Sequence, residues 1–153
     1  MTSSPKSALL LLDLQNEMVD PKGKVGGGGL AKVVAERQVL ENAARALAAA
    51  RYSGMEVVHV RLGFRADYSD ALSVAPRVTK MKENKAAIAG TWGSDFPSII
   101  APRDNELIIT KQCVNPFFNT GLMSWLLHRN IETNPRWRAP PLRVDGGLPQ
   151  GHP

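Results

Sequence analysis

One cysteine, Cys113, stands among 153 residues, and only three histidines accompany it, His59, His128 and His152. A single thiol excludes an intramolecular disulfide framework and makes the reducing cytoplasm the expected compartment. Histidines this dispersed offer no metal-ligand spacing, so no metal and no other cofactor is expected. No run of about 18 apolar residues exists, which argues against a membrane span. The stretch Leu9–Leu12 is too short for the apolar centre of a secretory leader. Phosphate-binding glycine motifs are also missing. Gly26-Gly27-Gly28-Gly29 fits neither GxGxxG nor GxxxxGK[ST], lies far from the strand before it, and is read as a mobile loop. The net charge of +5 is small, and Arg136, Arg138 and Arg143 against Asp145 account for +2 of it, leaving +3 for residues 1–133. Charge this weak and scattered gives no reason to expect nucleic acid as a partner. Lys80, Lys82 and Lys85, interrupted by Glu83, read as a solvated face.

What is present is ordinary globular composition, 43% apolar and 22% charged, at a length that suits one domain with a real core. Ala8-Leu9-Leu10-Leu11-Leu12 ends in Asp13, and Leu107-Ile108-Ile109-Thr110 ends in Lys111. Short continuous apolar runs read as buried strands of a parallel sheet. A charge at the carboxyl end of such a strand is where open α/β sheets place their chemistry. Between these runs, Val33, Val34, Val39, Leu40, Ala43, Ala44 and Leu47 recur at helical spacing, which predicts one helix over 31–52 with Glu41 and Arg45 paired on its wet face. Gly54 stops it. A second strand follows over Glu56–Arg61, giving a βαβ unit of right-handed sense. Residues 63–106 show no periodicity and read as a long functional loop. Within it Trp92 either lines a pocket or plugs the loop onto the core, and Ser94 is placed to cap a short helix. A third strand is expected over Glu106–Lys111 and a helix over 117–129.

These pieces resemble the isochorismatase-like cysteine hydrolase family. Ala8-Leu-Leu-Leu-Leu-Asp-Leu-Gln-Asn16, Val57-Val-His-Val-Arg61, Gly90-Thr-Trp-Gly93 with Pro102, and Ile109-Thr-Lys-Gln-Cys-Val-Asn-Pro-Phe-Phe-Asn-Thr120 carry the match in order and spacing over about residues 7–133. The resemblance implies an α/β, Rossmann-like three-layer sandwich with a parallel sheet in the order 3-2-1-4-5-6. It also implies an Asp–Lys–Cys triad acting on an amide or ester-like bond of a small-molecule substrate. Asp13 would take the thiol proton, Lys111 would favour the thiolate, and Trp92 would form an aromatic wall for the substrate. The Asp-x-His metal motif of nicotinamidase-like members has no counterpart in Arg65-Ala-Asp67-Tyr-Ser-Asp70.

The chain departs from that pattern after residue 133. A fourth strand is due near Ile131, yet 134–153 is a Pro/Gly/Arg-rich stretch without apolar periodicity, read as an irregular tail. The nucleophile's position would fall near Val144, where nothing matches. Common codons for Arg136–Leu142, read two bases on, permit Leu-Ala-Gly-Ala-Ala-Thr, so a shifted reading frame is one account of the tail. Cys113, two residues past Lys111, is expected to be a packing residue. The fold is therefore expected to be truncated after its third strand, and the chain to be an inactive hydrolase half-site. The alternative is a non-enzymatic fragment or interaction protein, pairing through the open edge of strand one and forming homo-oligomers. A small nucleotide-binding βαβ domain is a third reading, weakened by the missing phosphate motif.

Overall fold

Three apolar runs become three parallel strands, and the chemistry between them decides what packs on each face. The computed structural model describes residues 6–72 and 74–131. The tail over 134–153 and the position near Val144 lie outside the described residues. In chain order the elements are β1 (Ala8–Leu12), α1 (Asn16–Val19), a 3-10 turn at Gly26–Gly28, α2 (Leu30–Glu36), α3 (Val39–Tyr52), β2 (Glu56–Leu62) and α4 (Pro76–Glu83). Two further 3-10 turns follow at Trp92–Ser94 and Ser98–Ile100, then β3 (Leu107–Lys111) and α5 (Leu122–His128).

The sheet is α/β in class and has the order β1-β2-β3. Its parallel register pairs Leu12 with Val60 and Leu62 with Lys111. Strand alternation sends Leu9, Leu11 and Val57 into a core with Val39, Ala43, Leu47 and Ala50 of α3. Ala8, Leu10, Val58, Val60 and Ile109 enter a second core, closed by Leu122 and Leu126 of α5. Side chains from β1 and β2 thus enter a core on each face, which is why these strands carry few polar positions, while Ile108 of β3 stays 41% exposed. Among the described residues β1 forms one edge. No described helix is long and apolar enough to cross a membrane.

Local detail differs from the sequence pattern in four places. The helix expected over 31–52 is two helices, because Gln38 takes a left-handed conformation with φ 51°. The break lets α2 bury Ala31 and Val34 while α3 lays a separate stripe on the sheet. On the wet face of α3 Arg45 donates to Asn42 rather than pairing with Glu41, and among the described residues the intrahelical ion pair is Lys32–Glu36 of α2. The glycine run forms an ordered 3-10 turn seated on α1, and a Cβ at Gly26 would run into the Asp20 carbonyl. Residues 63–106 contain α4, with Pro76 in its first turn and only Val78 and Met81 buried. The last helix starts at Leu122 rather than near 117, since Asn119 has φ 53° and Thr120 Oγ1 donates to the Pro116 carbonyl.

Candidate active site

All three strands run the same way, so their carboxyl ends meet along one side of the sheet. Lys111 closes β3 there. Its ammonium runs back across β2 to Asp13, donating to Oδ2 at 3.1 Å, and donates also to the Val114 carbonyl at 2.9 Å. The lysine side chain is 3% exposed and the aspartate side chain 35%, so the pair meets solvent on the aspartate side. Asp13 ends β1 with its N–H on the Val60 carbonyl and a left-handed backbone, φ 58°. A non-glycine residue in that region is uncommon and often marks a functional position. The pair couples a proton acceptor to a fixed cation that can stabilise an adjacent anion.

The residues after Asp13 hold the neighbouring loop. Gln15 is fully buried. Its Oε1 accepts from the Leu62 N–H at 2.8 Å, while Nε2 donates to the Leu62 carbonyl at 2.8 Å and to the Gly93 carbonyl at 3.4 Å. Asn16 donates through Nδ2 to the Trp92 carbonyl at 3.0 Å and through its backbone N–H to the Asp95 carbonyl at 2.8 Å. Glu17, also buried, takes the Lys24 N–H on Oε1 at 2.6 Å and the Ala87 N–H on Oε2 at 2.8 Å. Trp92 is therefore fixed through its backbone, and its ring is half exposed. Ser94 lies inside its 3-10 turn, accepting from the Gly90 N–H and donating to the Thr91 carbonyl, so it caps no longer helix.

Cys113 is buried, and its thiol donates to the Asn115 carbonyl at 3.4 Å. That hydrogen bond holds the thiol as a donor to a neutral acceptor, while the Lys111 ammonium is engaged by Asp13 and Val114. Among the described residues no group of three or more His, Cys, Asp or Glu is placed to hold a metal ion.

A second polar cluster supports the sheet from the α3 side. His59 is fully buried and its Nε2 meets Glu106 Oε2 at 2.9 Å. Arg51 of α3 grips both oxygens of Glu106, at 2.6 Å and 2.9 Å, and the Arg103 N–H adds a 3.0 Å bond. Burial opposes ionisation of Glu106, but the Arg51 guanidinium, the Arg103 N–H and His59 override it and bring its pKa from 4.5 down to about 2. Burial lowers the His59 pKa despite the Glu106 carboxylate beside it. Among the described residues its buried Nδ1 has no hydrogen-bond partner, and Nε2 is the nitrogen that faces the Glu106 carboxylate. The Tyr68 hydroxyl, bonded to the Met81 and Ala86 carbonyls, has its pKa raised by burial and then by the Glu17 charge.

The structure brings Asp13 and Lys111 together and places Trp92 on a loop tied to the same strand end. Sequence reasoning assigned no role to Gln15, Asn16, Glu17 or Glu106. The signal for the first three is their position directly after a strand-ending charge. Glu106 carries no comparable local signal, because its partners come from residues 51, 59 and 103.

Comparison with known proteins adds a family to this geometry. A family model described as the Isochorismatase domain matches residues 7–134. The ureidoacrylate amidohydrolase RutB of Cronobacter sakazakii is 30% identical over 145 residues, covering 86% of this chain and 62% of that protein. The RutB of Methylorubrum extorquens is 31% identical over 140 residues, covering 83% of this chain and 56% of that one. An isochorismatase family protein from Desulfovibrio vulgaris superposes with a TM-score of 0.68 at 27% identity, covering 84% of this chain and 64% of its own. N-carbamoylsarcosine amidase from Thermoplasma acidophilum shares the fold, with a TM-score of 0.64 at 23% identity and the same coverages, 84% and 64%. The chain thus spans 56% and 62% of the two RutB relatives it matches.

Proposed function

The chain belongs to the isochorismatase family, and from that premise we propose that it carries two members, Asp13 and Lys111, of an Asp–Lys–Cys site for cleaving a small-molecule amide. The observation that carries the reading is the 3.1 Å contact between the Lys111 ammonium and Asp13 Oδ2 at the carboxyl ends of β3 and β1. In such a site a thiol gives its proton to Asp13 and attacks the carbonyl carbon, the C–N bond breaks as that proton passes to the leaving amine, and water then hydrolyses the thioester to release the acid and restore the thiol, while Lys111 favours the thiolate and keeps the carboxylate oriented. The amidohydrolase relatives favour a C–N bond over an ester. Trp92 stands as an aromatic wall for the substrate. A reducing compartment, by default the cytoplasm, suits a site that works through a free thiol.

On this reading Cys113 is a packing residue and not that nucleophile; its buried thiol, turned to the Asn115 carbonyl, supports that assignment. The reading expects no thiol-dependent turnover from the 153-residue chain by itself. Two measurements test the reading. Adding a small primary amide such as acrylamide's saturated analogue, propionamide, to labelled protein shifts the amide resonances of residues 13, 92–95 and 111–114, and Asp13→Asn abolishes those shifts. Ammonia release stays at the buffer rate. Shifts located elsewhere refute the site, and ammonia release that disappears in Cys113→Ala refutes the assignment of the thiol.

One observation favours a second, non-enzymatic reading. Among the described residues β1 is an edge strand of uncharged residues, Ala8–Leu12. Such an edge is a template for strand addition, including by a second copy of the chain. Gel filtration at rising concentration separates the readings: a monomer throughout removes edge pairing, whereas dimers abolished by Leu10→Lys support it.

A further inference from the structure

We propose that Gln15 is the positioning residue of this site: its side-chain amide stands in for the missing continuation of β1 opposite Leu62, and so holds the Asp13–Lys111 pair and the Trp92 loop as one unit. The inference rests on reading Asp13 and Lys111 as the site, and it adds what places them.

The ladder between β1 and β2 shows why a stand-in is needed. β1 pairs with β2 as far as Leu12 opposite Val60, and the Asp13 N–H makes the last backbone bond, to Val60. Asp13 then turns left-handed and the chain leaves the sheet. β2 continues for two more residues, so Leu62 presents an N–H and a C=O to a place where β1 no longer runs. Buried backbone groups of this kind require partners. The Gln15 amide supplies both, accepting from one and donating to the other at 2.8 Å each, as a strand residue would.

The position matters because of what lies in the same row. Leu62 is in register with Lys111 on its other side. Adjacent strands are about 4.8 Å apart, so the lysine must cross the width of β2 to meet Asp13. The backbone at Asp13 is therefore pinned on both flanks, by its own N–H on Val60 and by Gln15 two residues on. The remaining Gln15 N–H reaches the Gly93 carbonyl, and the next residue, Asn16, holds the carbonyl of Trp92. One buried amide thus touches the strand opposite the ion pair and the loop that carries the aromatic wall. A glutamate at this position would set a carboxylate against the Leu62 and Gly93 carbonyls, and a methionine of similar length would leave the Leu62 groups unpaired.

The test reads the ion pair without any turnover, so loss of the hydrolase reading leaves its outcome intact. In the unmodified chain one lysine ammonium gives a slowly exchanging resonance in 15N-detected spectra, and it vanishes in Lys111→Arg. In Gln15→Met that resonance exchanges about tenfold faster or more, a local opening, while the amides of β2 and β3 keep their positions. Gln15→Asn, one methylene shorter, gives the same direction of change. Should either variant fail to fold, hydrogen exchange in the unmodified chain decides: the Gln15 side-chain amide and the Lys111 ammonium open at one common rate. A Lys111 resonance as protected in Gln15→Met as in the parent, with only the 92–95 amides displaced, overturns the proposal. Separate opening rates for Gln15 and Lys111 overturn it equally.

Discussion

Replacing Glu106 by glutamine isolates the charge that ties α3, β2 and the start of β3 together. The Glu106 side chain is 5% exposed and accepts from Arg51, Arg103 and His59. Its pKa falls from 4.5 to about 2 on folding, with burial outweighed by those three partners. Each pH unit of such a fall is worth ~1.4 kcal/mol, so ionised Glu106 contributes about 3 kcal/mol at neutral pH. Breaking a buried pair by removing one partner costs a similar ~3–5 kcal/mol, because the other charge is stranded. The sign follows from the direction of the shift. A carboxyl whose folded pKa is depressed stabilises fully above its unfolded value of 4.5, and that contribution is lost as pH falls from there toward 2. His59, with its pKa lowered from 6.5, adds a loss of the same sign that begins as pH falls below 6.5, because only the unfolded chain then takes up the proton readily. Urea unfolding followed by circular dichroism at pH 7, 5, 4 and 3 is the assay. Glu106→Gln should lose about 3 kcal/mol at pH 7 and show a flatter acid limb below pH 4.5 than the parent. A variant within about 0.5 kcal/mol of the parent at pH 7, the range of ordinary surface substitutions, with an unchanged acid limb, refutes the network as described.

Two further substitutions probe close packing and backbone strain. At Gly93 an added Cβ would lie 2.5 Å from Glu17 Oε2, so Gly93→Ala should displace a carboxylate that holds the Lys24 and Ala87 N–H groups. A loss of about 1–3 kcal/mol in urea denaturation is expected, and a neutral result contradicts the contact. Gln38 sits at φ 51° between α2 and α3, where glycine relieves strain. Gln38→Gly should leave thermal stability unchanged or raise it by up to ~1 kcal/mol, and a clear loss would show that the Gln38 side chain carries a contact of its own.

The sheet was legible because burial on both faces leaves strands with uninterrupted apolar runs. Ala8–Leu12 and Leu107–Ile109 announce themselves in that way, and β2 does so through Val57, Val58 and Val60 around the polar His59. The helices were legible only where many apolar positions repeat. The stripe from Val39 to Ala50 is clear, whereas α4 buries just Val78 and Met81 and leaves no periodic signal. The break at Gln38 was hidden, since the apolar spacing before and after it still suits one helix, and the left-handed turn comes from packing rather than from a glycine. For the site, Asp13 and Lys111 stood out as charges closing apolar runs. Their pairing across β2 needed the register of the sheet. Gln15 was visible only as a neighbour of Asp13, because what makes it special is the place where β1 departs while β2 continues. The Arg51–Glu106–His59 cluster draws on three distant segments, and no local pattern in the chain joins them.

Alkylation of the Cys113 thiol by iodoacetamide in the folded chain decides whether that thiol lies outside the proposed Asp13–Lys111 site. Modification should be slow at pH 7, accelerated by urea to the rate of an exposed thiol, and equally slow in Asp13→Asn. Fast modification of the folded chain at pH 7 that drops when Asp13 is replaced would contradict a thiol outside the site, since that result places Cys113 beside the pair as its nucleophile.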